Sequence, residues 1–236
     1  MSIGNKLFDQ LNSFQSAPFI FVGSGLSRRY VSLETWSDLL QRFSGELPSP
    51  FEYYLSRADG QLPTVATMIA DDFHEVWWKH PQYEESRKAF RSMVKHRDSC
   101  LKYEISRYIS KQSHVLGKDP IIDEEVELLR RSVIDGIITT NWDLLLESAF
   151  PDFRVYIGQE AILSSHPQGI AEIYKIHGCC TVSDSLVLTK EDYEKFDIKN
   201  PYLAAKLLTI FIEHPVIFLG YSLSDPNVQS ILNQMA

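Results

Sequence analysis

Cysteine is scarce in this chain, with three in 236 residues, and two of them, Cys179 and Cys180, are adjacent. Neighbouring cysteines are poorly placed to bridge each other without strain, and Cys100 stands far from both, so a disulfide framework is excluded. No Cys-x-x-Cys pair exists to build a four-thiolate zinc site, and no metal is expected. Long apolar runs are missing as well. None approaches the roughly 18 residues that cross a bilayer, which leaves no membrane partner in the sequence. The opening stretch MSIGNKLFDQLNSF lacks both a continuous apolar segment and a small-residue cleavage site, so it does not read as a secretory signal, and a cytoplasmic location is expected. Positive charge is in deficit, 23 Lys and Arg against 31 Asp and Glu for a net charge of −8. That balance argues against nucleic-acid phosphate as a partner of the whole surface. Repeats, low-complexity tracts and Pro- or Gly-rich linkers are also absent, so a disordered chain is excluded.

What is present is core material, 44% hydrophobic and 12% aromatic residues. A folded chain of this length buries roughly 70% of the surface it exposes unfolded. Pro18 to Val22 is an apolar run that stops at Gly23-Ser24-Gly25 and predicts a buried strand entering a tight loop. Thr35 then precedes Trp36, Leu39, Leu40 and Phe43 at helical spacing, as a cap should. From about Gly45 to Gly117 the pattern is helical, with Phe90, Met93, Val94, Leu101, Ile105 and Tyr108 close to one face. Between Lys79 and Lys111 nine Lys or Arg stand against four Asp or Glu, an excess of five that is either a solvated face or a docking surface.

Ile121 to Arg131 predicts a further helix. Strand signals return at Gly136–Thr140, Phe153–Ile157, Glu172–Ile176, Ser185–Leu188 and Pro215–Gly220, with helical patterns at Trp142–Phe150, Pro201–Glu213 and from Asp225 onward. Strands alternating with helices predict an α/β fold, a Rossmann-like, doubly wound and mainly parallel sheet. The segment from about 45 to 117 becomes a helical insertion in one domain spanning 1–236. The chain ends at Gln234-Met235-Ala236 inside a helix opened by Asp225-Pro226, and we expect it to be part of a longer protein.

Four strand ends carry the chemistry. Gly23-Ser24-Gly25-Leu26-Ser27 is a glycine turn of the kind that lets backbone N–H groups approach phosphate. The usual dinucleotide fingerprint needs a third glycine where Arg28 stands, and an acidic residue ending a second strand, so a standard dehydrogenase is disfavoured. Thr139-Thr140-Asn141-Trp142-Asp143 follows the second strand, where Asn141 is either a turn residue or a ligand group facing the crevice. Lys175-Ile176-His177-Gly178 would leave an imidazole at the sheet edge, although a lone histidine is more often structural. Phe218-Leu219-Gly220-Tyr221-Ser222-Leu223-Ser224-Asp225-Pro226 is another strand running into a hydroxyl-rich turn.

Taken together, from Phe19 to about Ile231, these four motifs resemble the sirtuin family of NAD-consuming enzymes. They are closest in kind to the sirtuin-like domains of bacterial antiphage effectors, which hydrolyse NAD. The resemblance implies that Gly23, Ser24, Gly25, Leu26 and Ser27 hold the pyrophosphate and neighbouring ribose. It implies that Asn141 and His177 are catalytic, that Asp143 lines the nicotinamide-ribose pocket, and that Gly220 and Ser222 contact the adenosine side. NAD would be the substrate. A homo-oligomer, gated by a C-terminally fused domain or a separate regulator, is implied in the same way. Deacylating sirtuins carry a zinc ribbon and a Gly-Ile-Pro-x-Phe-Arg stretch; this chain lacks the ribbon and reads Arg28-Arg29-Tyr30-Val31-Ser32. Water is therefore the expected acceptor. A deacylase or ADP-ribosyltransferase, and a silent NAD- or ADP-ribose-sensing module, stay open as alternatives.

Overall fold

Phe19–Val22 forms β1, four apolar residues each at least 96% buried. Burying such side chains contributes roughly 1.5–3 kcal/mol apiece. The strand lies inside a five-stranded sheet with β2 (Gly136–Thr139), β3 (Arg154–Ile157), β4 (Glu172–Lys175) and β5 (Val216–Leu219). The computed structural model describes residues 3–112, 119–165, 169–223 and 225–233. Ser224, the chain end at 234–236 and the last part of the predicted helical segment lie outside them.

The strand order is β3-β4-β2-β1-β5 and every pairing is parallel. Ile20 pairs with Ile137 on one side and Ile217 on the other, so β1 is flanked by strands from distant parts of the chain. The carboxyl ends of β1, β2 and β5 therefore open on one side of the sheet, where open α/β sheets hold ligands.

Side-chain alternation divides the sheet between two cores. Phe19, Phe21, Ile138 and Tyr174 pack under the Pro201–Glu213 and Pro226–Asn233 helices through Leu203, Leu207, Val228 and Ile231. Ile20, Val22, Ile137 and Ile173 face the Pro120–Arg130 helix and the short Leu145–Ala149 helix through Val126, Leu146 and Ala149. A third core belongs to the helices before β2. Along Leu62–Lys79, Val65, Ile69, Phe73 and Trp77 make one buried stripe, met by Leu101 and Ile105 of the Ser99–Gln112 helix. Trp77 Nε1 donates to Glu104 Oε1 at 2.9 Å. Lys102 is buried between Asp98 and Asp192, both 2.8 Å away, and so clamps these helices to the Lys190–Glu194 helix.

Two local expectations are corrected. Ser185–Leu188 is no strand: a single 3₁₀ turn covers Ser183–Ser185, and Val187 N–H returns to His177 O at 3.0 Å. Gly178, at φ +92°, leaves no room for a Cβ against Ser185, so the chain folds back on itself there. The run from Phe90 to Tyr108 is no single helix either. It breaks after the Glu84–Phe90 helix, passes through a 3₁₀ turn at Arg91–Met93, and restarts at Ser99, leaving Met93 exposed. Helical periodicity continued across the break because both helices bury a face in the same core.

Candidate active site

The turn after β1 is shorter than predicted. Gly23 caps a helix that starts at Ser24 and runs to Tyr30, so Ser24 and Gly25 are its first turn. Gly23 N–H donates to Leu219 O at 3.0 Å and Gly25 N–H to Gly220 O at 2.9 Å. A Cβ on Gly25 would sit 2.7 Å from Gly220 Cα, and Gly220 itself holds φ +61°. The glycines thus serve first to press the β1 turn against the β5 turn, and two of the amides expected to face phosphate are already spent on backbone carbonyls.

Asn141 stitches the next strand end to this turn. Its backbone N–H donates to Thr139 Oγ1 at 3.0 Å, and Thr139 Oγ1 donates to Val22 O at 2.9 Å. Its side-chain Nδ2 donates at 2.8 Å to both Gly23 O and Ser27 Oγ. A carbonyl oxygen only accepts, so the contact with Gly23 O fixes which way the amide points. Both amide hydrogens are used, and Oδ1 remains as the acceptor with which Asn141 can meet a ligand. Ser27 Oγ passes its own hydrogen to Asp143 Oδ2 at 2.5 Å, and Asp143 Oδ1 accepts from Leu145 N–H at 2.9 Å. Asp143 is 4% exposed and serves as an anchor between the two turns. Lys175 supports it from below, donating to Asp143 O and pairing with Glu147 Oε1 at 2.7 Å.

His177 follows β4 and is 2% exposed. Asp225 Oδ2 lies 3.8 Å from its Nδ1, Asn227 Nδ2 lies 3.4 Å from its Nε2, and Tyr193 and Phe196 meet the ring edge-on. Burial pushes its pKa below the usual 6.5, with Asp225 and Asp192 pulling the other way. The imidazole is therefore neutral near pH 7.

One cavity of about 570 Å³ joins these strand ends. Ser24, Gly25, Ser27, Asn141, Asp143, His177, Gly220 and Ser222 line it; Gly23 and Leu26 do not. Leu26 packs instead with Ile20 and Val22. The cavity also takes residues that sequence reasoning missed as site residues. Trp36 opens a helix before β2 and Gln61 precedes the Leu62–Lys79 helix, and Trp36 stacks on Tyr193 with ring centroids 5.7 Å apart. Arg28 is the one cationic lining side chain among the described residues. Its position in the broken dinucleotide motif was a visible signal, as was the Asp225-Pro226-Asn227 helix start; Tyr193 had none. Trp36 Nε1 and Tyr221 Oη are buried and make no hydrogen bond among the described residues. Two such orphans in one wall are what a polar ligand would satisfy. No cluster of three or more metal-ligating side chains occurs among the described residues, and no described helix is long and apolar enough to cross a membrane.

Residues 135–236 match the SIR2-like domain family. The NAD(+) hydrolase ThsA of Bacillus cereus is 26% identical over 92% of this chain and 39% of its own length. The NAD(+) hydrolase ThsA of Cytobacillus dafuensis is 31% identical over 48% of this chain and 24% of its own. Defense-associated sirtuin 2 of Bacillus subtilis is 29% identical over 41% of this chain and 10% of its own. The chain spans two fifths or less of these curated relatives. Residues 135–236, which hold four of the five strands of the all-parallel sheet, are thus similar to a SIR2-like domain.

Proposed function

We propose that this domain hydrolyses NAD to nicotinamide and ADP-ribose, with a role in antiphage defence. The observation that carries the reading is the convergence of all four strand-end motifs on one cavity, with an oriented Asn141 and a neutral His177 in its wall. A cavity of this size is within the range that encloses nucleotide-sized ligands.

In this reading Arg28 and Ser24 meet the pyrophosphate, and Gly220 and Ser222 lie on the adenosine side. Asn141 Oδ1 accepts from a ribose hydroxyl or from the attacking water. As the glycosidic bond breaks, its electron pair moves to the pyridinium nitrogen and charge develops at the ribose anomeric carbon. Water adds there and gives up a proton to His177, whose imidazolium Asp225 then stabilises. Tyr193 and Trp36 keep bulk water from the reacting carbon. The defence reading takes the domain as the toxic effector of an abortive-infection system in the cytoplasm. Its activity would be held in a homo-oligomer under a fused or separate regulator, because unrestrained NAD loss kills the host.

The test is nicotinamide release from NAD by wild type, Asn141→Ala and His177→Ala. Losses of about 10²-fold or more in both variants are expected. Equal turnover in all three would overturn the site. NAD binding without turnover under every activating condition would favour a sensing module, and release that needs an added acyl peptide would favour a deacylase.

A further inference from the structure

A second cavity, of about 540 Å³, lies outside the site described above, between the Ser99–Gln112 helix and the turn at Cys180–Asp184. Its wall explains where the positive charge of the Lys79–Lys111 segment goes. Lys79 pairs with Glu75, Lys88 with Glu84 and Glu85, Arg97 with Asp71, and Lys102 with Asp98 and Asp192. Arg87 is held by the carbonyls of Trp77 and His80. Among the described residues Arg91, Lys95 and Lys111 form no ion pair, and two of these three line the cavity beside Arg107. Arg107 is itself held at 3.2 Å by Glu104, and Asp184 is the one carboxylate in the lining. Three cations thus face one lining anion, in a protein whose net charge is −8.

A second, independent observation is neutral. Ser106 lines the same wall, is 4% exposed, and its hydroxyl makes no hydrogen bond among the described residues. A buried hydroxyl without a partner is costly unless something satisfies it. Tyr103 offers no stacking face, because Phe90 lies flat against it at 3.9 Å and Arg107 sits 5.7 Å from its centroid. The wall is therefore suited to an anion rather than to an aromatic ring.

We propose that this cavity binds a small phosphorylated molecule, its phosphoryl oxygens held by Lys95, Arg107 and Lys111 and by the Ser106 hydroxyl. The site adjoins the first cavity through one hydrogen-bonded relay: Cys180 N–H donates to Trp142 O at 2.8 Å, and Trp142 Nε1 donates to His177 O at 2.9 Å.

The test titrates inorganic pyrophosphate into the purified chain at low ionic strength and follows binding by calorimetry, so that it does not depend on NAD turnover. Wild type, Lys95→Gln/Lys111→Gln and Ser106→Ala are compared. Both lysines are exposed, and the double variant should keep the wild-type melting temperature. Saturable binding, weakened about 10-fold or more in the double variant and about 3-fold in Ser106→Ala, is expected. The Ser106 arm separates a shaped site from diffuse attraction to positive charge, which a neutral substitution would leave intact. Absence of saturable binding overturns the proposal. So does binding unchanged in the double variant, which would place pyrophosphate in the first cavity, and so does binding that ignores Ser106→Ala.

Discussion

Asp225 Oδ2 stands 3.8 Å from Nδ1 of His177, while the amide of Asn227 approaches Nε2 at 3.4 Å. The carboxylate thus stands on the Nδ1 side of the ring and the amide on the Nε2 side. Two residues of one helix start thereby flank both ring nitrogens of a histidine about fifty positions earlier in the chain.

The burial of His177 makes stability depend on pH. Its native pKa lies below the usual 6.5, so as pH falls through that value the unfolded chain takes up a proton that the native state refuses. Stability is complete above about pH 6.5 and declines below it, by at most ~1.4 kcal/mol per pH unit. Urea unfolding of wild type and His177→Gln between about pH 7.5 and 5.5 should show a shallower acid-side loss in the variant. Parallel curves would mean that the ring takes up its proton without resistance.

Ser27→Ala should destabilise by about 1–3 kcal/mol, because it leaves Asp143 Oδ2 buried without its donor and Asn141 without one of two acceptors. Denaturant midpoints at unchanged m-value measure it. A change within about 0.5 kcal/mol would show that the network does not hold the turns together.

Gly25→Ala and Gly45→Ala should behave oppositely. A Cβ at Gly25 meets the backbone of Gly220 at 2.7 Å, whereas at Gly45 the nearest atom is Arg42 O at 3.5 Å in a helical conformation. The first should cost about 1–3 kcal/mol and weaken NAD binding. The second should be neutral or stabilising by up to about 1 kcal/mol. Thermal unfolding of the pair isolates the close approach from a general intolerance of alanine.

Trp36→Phe removes an N–H that no described residue accepts while retaining an aromatic ring against Tyr193. The melting temperature should stay unchanged or rise. NAD affinity, measured in an Asn141→Ala background to suppress turnover, should fall by roughly 10-fold. Unaltered affinity would show that the ligand leaves the indole nitrogen unsatisfied.

Arg28→Ala should raise KM for NAD about 10-fold with little change in kcat, since it removes attraction for the pyrophosphate away from the reacting carbon. Steady-state nicotinamide release over a range of NAD concentrations reads the split. A fall in kcat at constant KM would move Arg28 toward the chemistry.

Local sequence determined much of this protein. Five of the six predicted strands exist, because a short apolar run bounded by turn residues has few alternatives to a buried parallel strand. That Gly25, Gly220, Asn141, Asp143 and His177 share one crevice was legible because each follows such a strand, and strand ends in a parallel sheet share one edge. Ser185–Leu188 misled because Leu186 and Leu188 are buried in the helical core while Val187 turns to the core against the sheet, and such alternating burial leaves the same trace as a strand.

Tertiary structure alone decided the rest. That Gly25 serves Gly220, that Ser27 bonds Asp143, and that Trp36 and Tyr193 wall one cavity are contacts between segments far apart in sequence, and no local pattern encodes them. Periodicity records which residues leave water; it does not record which residues they meet. Partner choice emerges only when strand order brings the β1 and β5 turns together and the helices before β2 close over them, because packing and hydrogen-bond satisfaction are properties of the assembled interior.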